Sequence, residues 1–342
     1  MELRGEFNVP MVLMTTVGSG IHGSIYHSHS IESIATHLPG WKVVYPCTPL
    51  DAYGLMISSL KEPNPVMFLE CKALLRTKGK ERIPGEPEDD KILRDMIDAP
   101  LGDRTHWKPR WPELTDFAVP IGKGKLCREG SHATVVSYGR TLPLCVEAAD
   151  ALASEGIRYD VIDLRSLMPF DWEMIAASIR KTGRVLFVNE DTEITNFGEH
   201  LLRRAIEEFF YEVQVAPRLL AGKHVPGIGM APTLEDASVP QGKDILSAMR
   251  ELAAERPDRR SAPECASAPA RGRVHGGVAL ARGPAQESPR SIDPCSSFLQ
   301  SPPVSLRPVP SATAFRSTAP SSAPSMRSRR FAAATPTPWI GS

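Results

Sequence analysis

Three histidines, His22, His27 and His29, stand close together in a Gly- and Ser-rich segment that runs from Gly18 to Ser30. An imidazole changes charge near neutral pH. It can move a proton, donate to a developing oxyanion, or bind a metal. His27 and His29 alternate and would share a side of an extended strand. A zinc or iron centre asks for three or four ligands in fixed geometry. The spacing therefore fits one working histidine held in a turn better than a metal centre, and the ordinary fate of any one of them is a satisfied loop histidine. The same segment reads Gly18-Ser19-Gly20-Ile21-His22-Gly23, a match to G-x-G-x-x-G after an apolar run. A dinucleotide turn would need a helix opening at the third Gly and an acid about 20 residues on, at the end of the next strand. Neither is read here: Gly23 leads into SIYHSHS with no helix expected, and the run Trp41–Tyr45 ends in Pro46-Cys47. The glycines better suit backbone passing close to a ligand or a neighbouring chain.

The elements that must hold this segment follow from periodicity. Residues 10–17 (PMVLMTTV), 41–45 (WKVVY) and 65–70 (PVMFLE) read as strands, with a short helical pattern near 30–37. Pro49 at a first helical position and Asp51 in the first turn open a helix through Leu60. This is part of a parallel sheet. Residues 76–120 are charged and Pro-rich and read as a long ordered connector, a length that is uncommon unless the chain packs on something.

Beyond it, strands are expected at 133–138, 159–164, 184–188 and 217–221. They alternate with helices over 142–153, from an Asp171 cap to Ile179, over 202–213, and over 242–255. Such βαβ alternation means a mostly parallel sheet with helices on both faces. Cys145 falls on the apolar helix face. The fold class is α/β, with two parallel-sheet, three-layer domains. The organisation is residues 1–75, a connector 76–120, a second domain 121–256, and a tail 257–342.

The chain has 342 residues and 40 basic against 40 acidic side chains. That balance hides a split. From Asp258 onward there are 11 Arg, no Lys and four acids, leaving 29 basic and 36 acidic residues before it. The tail holds 13 Pro and 15 Ser and reads as disordered, because it buries too little to offset its ordering entropy. A solvated extension is the plain reading of its Arg pairs, so no nucleic-acid partner is expected. No apolar run approaches the ~20 residues of a membrane span. The six cysteines form no C-x-x-C and no export signal opens the chain, so a cytoplasmic setting is expected.

Several stretches, in order, closely resemble the β subunits of 2-oxo acid dehydrogenase E1 components, thiamine-diphosphate enzymes related to transketolase. They are Tyr26-His27-Ser28-His29-Ser30 (the family prefers Gln at the fourth place), GWKVVYPCTPLDAYGLM, NPVMFLE, GKGKLCREGSHATVVSYGR, VIDLRSLMPFDWEMI and GRVLFVNED. The resemblance covers residues 5–75 and 120–255. It implies a partial transketolase-like pyrimidine-binding domain followed by a transketolase C-terminal domain. By the same resemblance, thiamine diphosphate is shared with an E1 α subunit that holds the diphosphate and Mg2+ in an α2β2 heterotetramer. The C-terminal domain then helps dock a lipoyl acyltransferase E2 core.

Carried over residue by residue, His27 is the active-site histidine and Tyr26 and Ser28 line the cofactor. Ser59, Glu62 and Asn64 fall where some members hold a structural K+, with Glu62 in place of the family's Asp. The family's catalytic glutamate lies well upstream of the YHSQ-like motif, and only 26 residues precede His27, so that glutamate is expected to fall outside this chain. The implied reaction is oxidative decarboxylation of a 2-oxo acid, pyruvate or branched-chain, with acyl transfer to lipoamide. The alternatives are a transketolase or deoxyxylulose-phosphate synthase-like piece, and a non-catalytic assembly subunit or truncated product.

Overall fold

The computed structural model describes residues 7–113 and 115–257. The disordered tail expected from residue 257 lies outside the described residues from 258 onward. The elements in chain order are β1 (Val12–Val17), α1 (Ser24–His27), α2 (Glu32–Thr36), β2 (Lys42–Val44), α3 (Pro49–Lys61), β3 (Val66–Cys71), α4 (Asp90–Ile97), β4 (Lys125–Arg128) and β5 (Ala133–Ser137). Then follow α5 (Thr141–Ser154), β6 (Tyr159–Asp163), β7 (Ser166–Met168), α6 (Trp172–Thr182), β8 (Val185–Thr192), α7 (Phe197–Phe209), β9 (Arg218–Gly222), α8 (Pro232–Ser238) and α9 (Gly242–Ala254).

Two sheets result, ordered β1-β3-β2-β7 and β4-β6-β5-β8-β9. Both are parallel except at one edge, where β7 and β4 run antiparallel to their neighbours. The expected strands and long helices are present with ends shifted by a few residues. Five short elements, α1, α4, β4, β7 and α8, were not expected, and α1 opens directly after Gly23, where no helix was read. β7 carries a topological surprise: it follows β6 of the second sheet but pairs with β2 of the first.

The second sheet is covered on both faces, as alternating side chains require. Val135, Val161 and Leu186 face α5 and α9, in a cluster with Leu142, Cys145, Leu152, Ile245 and Met249. Val136, Ile162 and Phe187 face the other way, in a cluster with Ile175 and Ile179 of α6 and Leu201 and Phe209 of α7. That cluster continues into the first sheet through Val17, Val43, Met67 and Leu69. The first sheet's remaining face packs Val44, Val66 and Phe68 on Leu55 of α3.

Local signals explain the helix ends. Thr48 caps α3 by accepting from the Asp51 amide, with Pro49 at the first position. Asp171 caps α6, and Gly183 ends it at φ +67. The connector 76–120 packs where it returns to α3: Val119 N–H donates to Gly54 O at 3.0 Å, and Tyr53 donates to Thr115 O at 2.9 Å. Gly54 permits this approach, since a Cβ there would lie 2.5 Å from Val119 Cγ2.

Candidate active site at the carboxyl edge of the first sheet

Chain leaving the carboxyl ends of β1 and β3 builds the edge on which the histidines sit. After Val17 the backbone turns through left-handed residues, with φ of +94 at Gly18, +91 at Gly20, +56 at His22 and +58 at Ser24. A one-turn helix, α1, then opens directly after Gly23 and carries Tyr26 and His27. Four residues give no useful helix dipole, and α1 has no side-chain cap. Ser28 closes the turn from within. Its hydroxyl accepts from Gly23 N–H at 2.9 Å, and its carbonyl accepts from the Ser19 hydroxyl at 2.8 Å.

The glycine turn faces carboxylates of its own chain. In the second sheet the chain leaves β5 and β8 in opposite directions, so the crevice of an α/β sheet lies between their carboxyl ends. Gly18-Ser19-Gly20 fills that crevice. A Cβ on Gly18 would meet Glu190 Oε1 at 2.5 Å, and one on Gly20 would meet Arg140 Cδ at 3.2 Å. Glu190 in turn accepts from Arg140 Nε at 2.6 Å. The close neighbour of these glycines is thus the protein's own second sheet, where a ligand or another chain was expected. From α8, Glu235 accepts from the Gly20 and His22 amides at 2.7 and 2.8 Å, and meets His22 Nδ1 at 2.5 Å. Burial alone would raise the Glu235 carboxyl, but these amides and the His22 ring hold it below the usual range.

His27 is exposed, and Tyr26 is 80 % exposed. The Lys72 ammonium, just past β3, donates to the His27 carbonyl. Partial burial lowers the Lys72 amine from its ordinary value. Ile21 and Ile25 are exposed beside the histidine segment. His29 turns the other way. With Ser30, Ser33, Asp191, Thr192 and His224 it lines a cavity of ≈ 260 Å³ against the ends of β8 and β9.

Glu32, between the cavity-lining Ile31 and Ser33, is fully buried, with neither carboxylate oxygen hydrogen-bonded. Burial first, then the nearby Asp191 and Glu190 carboxylates, push its pKa well up. The hydroxyls of Tyr45 and Tyr138 are also buried without partners.

The residues matched to a cation site sit elsewhere, at the end of α3. Glu62 and Asn64 are brought together, with Asn64 Nδ2 donating to Glu62 Oε1 at 2.8 Å. The other Glu62 oxygen takes the Lys42 ammonium at 2.6 Å. Ser59 is buried and donates to Leu55 O at 2.7 Å within its own helix. Among the described residues no group of three or more His, Cys, Asp or Glu side chains is placed to hold a metal ion.

Sequence reasoning missed Lys72, Glu190 and Glu235, which reach the turn from up to 215 residues away and carry no local signal. Glu32 opens α2, a short helix that also carries Ser33 and Thr36, and nothing local marks it for burial.

Known proteins share this architecture. Residues 1–78 match the model of the transketolase pyrimidine binding domain, and residues 122–245 that of the transketolase C-terminal domain. A 2-oxoisovalerate dehydrogenase subunit beta of Bacillus subtilis strain 168 is 33 % identical over 248 residues, 72 % of this chain and 67 % of the relative. A pyruvate dehydrogenase E1 component subunit beta of Acholeplasma laidlawii is 32 % identical over 74 % of this chain and 68 % of its own length. An acetoin:2,6-dichlorophenolindophenol oxidoreductase subunit beta of Cupriavidus necator is 29 % identical, with 63 % of its length covered. The chain thus spans about two thirds of the length of these relatives. A solved structure titled "Split gene transketolase, inactive beta4 tetramer" superposes with a TM-score of 0.52 at 20 % identity, covering 73 % of this chain and 70 % of that one, which shows the fold alone. Among the described residues no helix is long and apolar enough to cross a membrane. With two sheets matching the two domain models in order, and relatives above 30 % identity covered over two thirds of their length, the chain belongs to the β-subunit family of 2-oxo acid dehydrogenase E1 components.

Proposed function

We propose that this chain is the β-subunit-type part of a 2-oxo acid dehydrogenase E1, acting with an α subunit in an α2β2 assembly. The assembly performs thiamine diphosphate-dependent oxidative decarboxylation of pyruvate or a branched-chain 2-oxo acid and passes the acyl group to lipoamide on an E2 core. The observation that carries the reading is His27: an exposed imidazole at the carboxyl edge of the first sheet, on a turn pinned from three sides and open to a second polypeptide.

The residues present fit one end of the cofactor. An exposed Tyr26 ring, exposed Ile21 and Ile25, and a histidine suit an aromatic heterocycle and an oxygen that gains charge. The diphosphate and its Mg2+ find no such donor set among the described residues, so an α subunit is proposed to hold them. When bound, thiamine diphosphate supplies the carbon nucleophile that makes decarboxylation of a 2-oxo acid feasible. His27 would hold a proton on its ring and share it with the substrate oxygen where negative charge grows, worth ~10²–10⁴-fold in rate. Ser28 would act through the shape of the turn, since its hydroxyl already serves Gly23. A structural K+ at Ser59, Glu62 and Asn64 would compete with Lys42, which already answers the Glu62 charge. The four described cysteines are free, as a reducing cytoplasm allows.

The test is reductive acylation of lipoamide by the chain reconstituted with an E1 α subunit. His27→Ala should lose at least ~100-fold in kcat while its urea midpoint stays unchanged, because the side chain is exposed. Full retained activity would remove His27 from the mechanism, and activity with a ketose phosphate in place of a 2-oxo acid would favour the transketolase-like alternative. The open edge of β1, where Leu13 and Met14 are 43 % and 51 % exposed, favours a second reading as a non-catalytic assembly subunit. Tight binding of thiamine diphosphate by the chain without any partner would contradict that second reading.

A further inference from the structure

We infer that Glu235 is the positioning residue for His27, acting with the backbone at Gly227 from the same segment that follows β9; the inference rests on the functional reading above. Nothing inside α1 fixes its place. It is one turn long, lacks a side-chain cap, and buries none of its residues. The turn that leads into it holds His22 and Ser24 in left-handed backbone, which side-chain-bearing residues adopt only when their surroundings over-determine it.

The surroundings are supplied by residues 227–235. Glu235, 1 % exposed, accepts from the Gly20 and His22 amides at 2.7 and 2.8 Å and from His22 Nδ1 at 2.5 Å. A single buried carboxylate thus takes both amides that flank Ile21 and fixes the entry to α1. Gly227 sets the far side. A Cβ there would fall 2.0 Å from Ile25 Cγ2, so the bare backbone serves as a stop against which α1 rests. Beside the Lys72 ammonium on the His27 carbonyl and the Ser28 hydroxyl on Gly23, two contacts of different chemistry, one a carboxylate taking hydrogen bonds and one steric, therefore set where the next residues, Tyr26 and His27, project. A misplacement of about 1 Å at a reacting group costs on the order of 10²-fold in rate, so such a clamp belongs to catalysis without touching substrate.

Three variants of the full chain test this: Glu235→Gln, Glu235→Asp and Gly227→Ala. Gly227 has no left-handed φ, so alanine strains only the contact with Ile25. Reconstituted with an E1 α subunit, Glu235→Gln and Gly227→Ala should each lower kcat roughly 10- to 100-fold with KM for the 2-oxo acid changed far less. Glu235→Asp, which keeps the charge, should retain more kcat than Glu235→Gln. On the full chain alone, amide exchange at Gly20 and His22 should quicken at least ~10-fold in Glu235→Gln, while amides of β5 and β6 keep their rates. Unchanged exchange at Gly20 and His22 would overturn the clamp. So would unchanged kcat in both Glu235→Gln and Gly227→Ala where His27→Ala is inactive. An active His27→Ala would instead sink the functional reading, and the exchange measurement would still judge the clamp.

Discussion

The two sheets of this chain are built from the same βαβ logic and end in opposite conditions. In the second, every residue of β5 and β6 and nearly all of β8 is buried, with helices on both faces. In the first, the edge strand β1 buries only its last residue, and Leu13 and Met14 stay exposed. The second sheet has the crevice between β5 and β8 filled by the Gly18–Gly20 turn that follows β1. The first keeps its carboxyl edge open and places His27 on it. One sheet is closed and buried, and the other carries the proposed working face. Segments that bind and react tend to come from the less stable end of a protein, and here the turn that leads to the proposed site is propped by the Glu190 and Glu235 carboxylates.

Truncation should break the symmetry most sharply. Phe187→Ala in β8 removes a fully buried ring and should cost ~3–5 kcal/mol. Met14→Ala in β1 should cost within about 0.5 kcal/mol. Urea unfolding of both variants checks the contrast, and equal costs would mean that β1 is covered in solution.

The seam between the sheets should respond to pH. Burial first, and then the Asp51 charge, push Asp163 up to about 7, and Glu32 lies well above the usual carboxylate range. The folded chain keeps protons there that the unfolded chain releases above about pH 4. Their stabilising contribution is fully present below the unfolded pKa and is lost as pH rises through the folded value. Between pH 4 and 7 stability should thus fall by up to ~1.4 kcal/mol per unit for the Asp163 proton, with Glu32 acting in the same direction. Asp163→Asn should flatten the part of this slope that ends near pH 7, measured as the urea midpoint against pH. A wild-type midpoint independent of pH would contradict the buried neutral acids.

The smallest effect is expected at Lys61 and Asp116, an ion pair 2.8 Å apart with both side chains largely exposed. Lys61→Met should move the urea midpoint by no more than ~0.5 kcal/mol, since exposed pairs are screened and pay side-chain entropy. A larger loss would mean that the connector, which Asp116 ties to α3, supports the first sheet more than its packing suggests.

Much of the fold was legible because the long elements announce themselves locally. Val and Ile runs gave β5, β6 and β8, and Asp171 with Gly183 bracketed α6. The missed elements are those whose reason lies elsewhere. β7 has three residues and exists because β2, over a hundred residues earlier, offers it an edge. β4 alternates half-buried and exposed positions at a sheet edge, too weak a pattern to read. α7 starts at Phe197, earlier than its apolar spacing suggested; Asn196, whose side chain accepts from the Glu199 amide, was the cue.

The site divides the same way. Glycine's tolerance of left-handed backbone, the one-turn spacing to Tyr26 and His27, and the α/β alternation are properties of neighbouring residues, and the amino-acid order by itself determined them. Which groups the glycines would meet, that His27 would stay exposed while Ser28 turned inward, and that Lys42 would claim Glu62 were decided only by tertiary structure. The physical reason is range. Backbone propensity acts over a few residues, whereas a hydrogen bond or a steric stop has no sequence signature once its two halves lie beyond that reach, from 20 residues for Lys42 and Glu62 to 215 for Gly20 and Glu235.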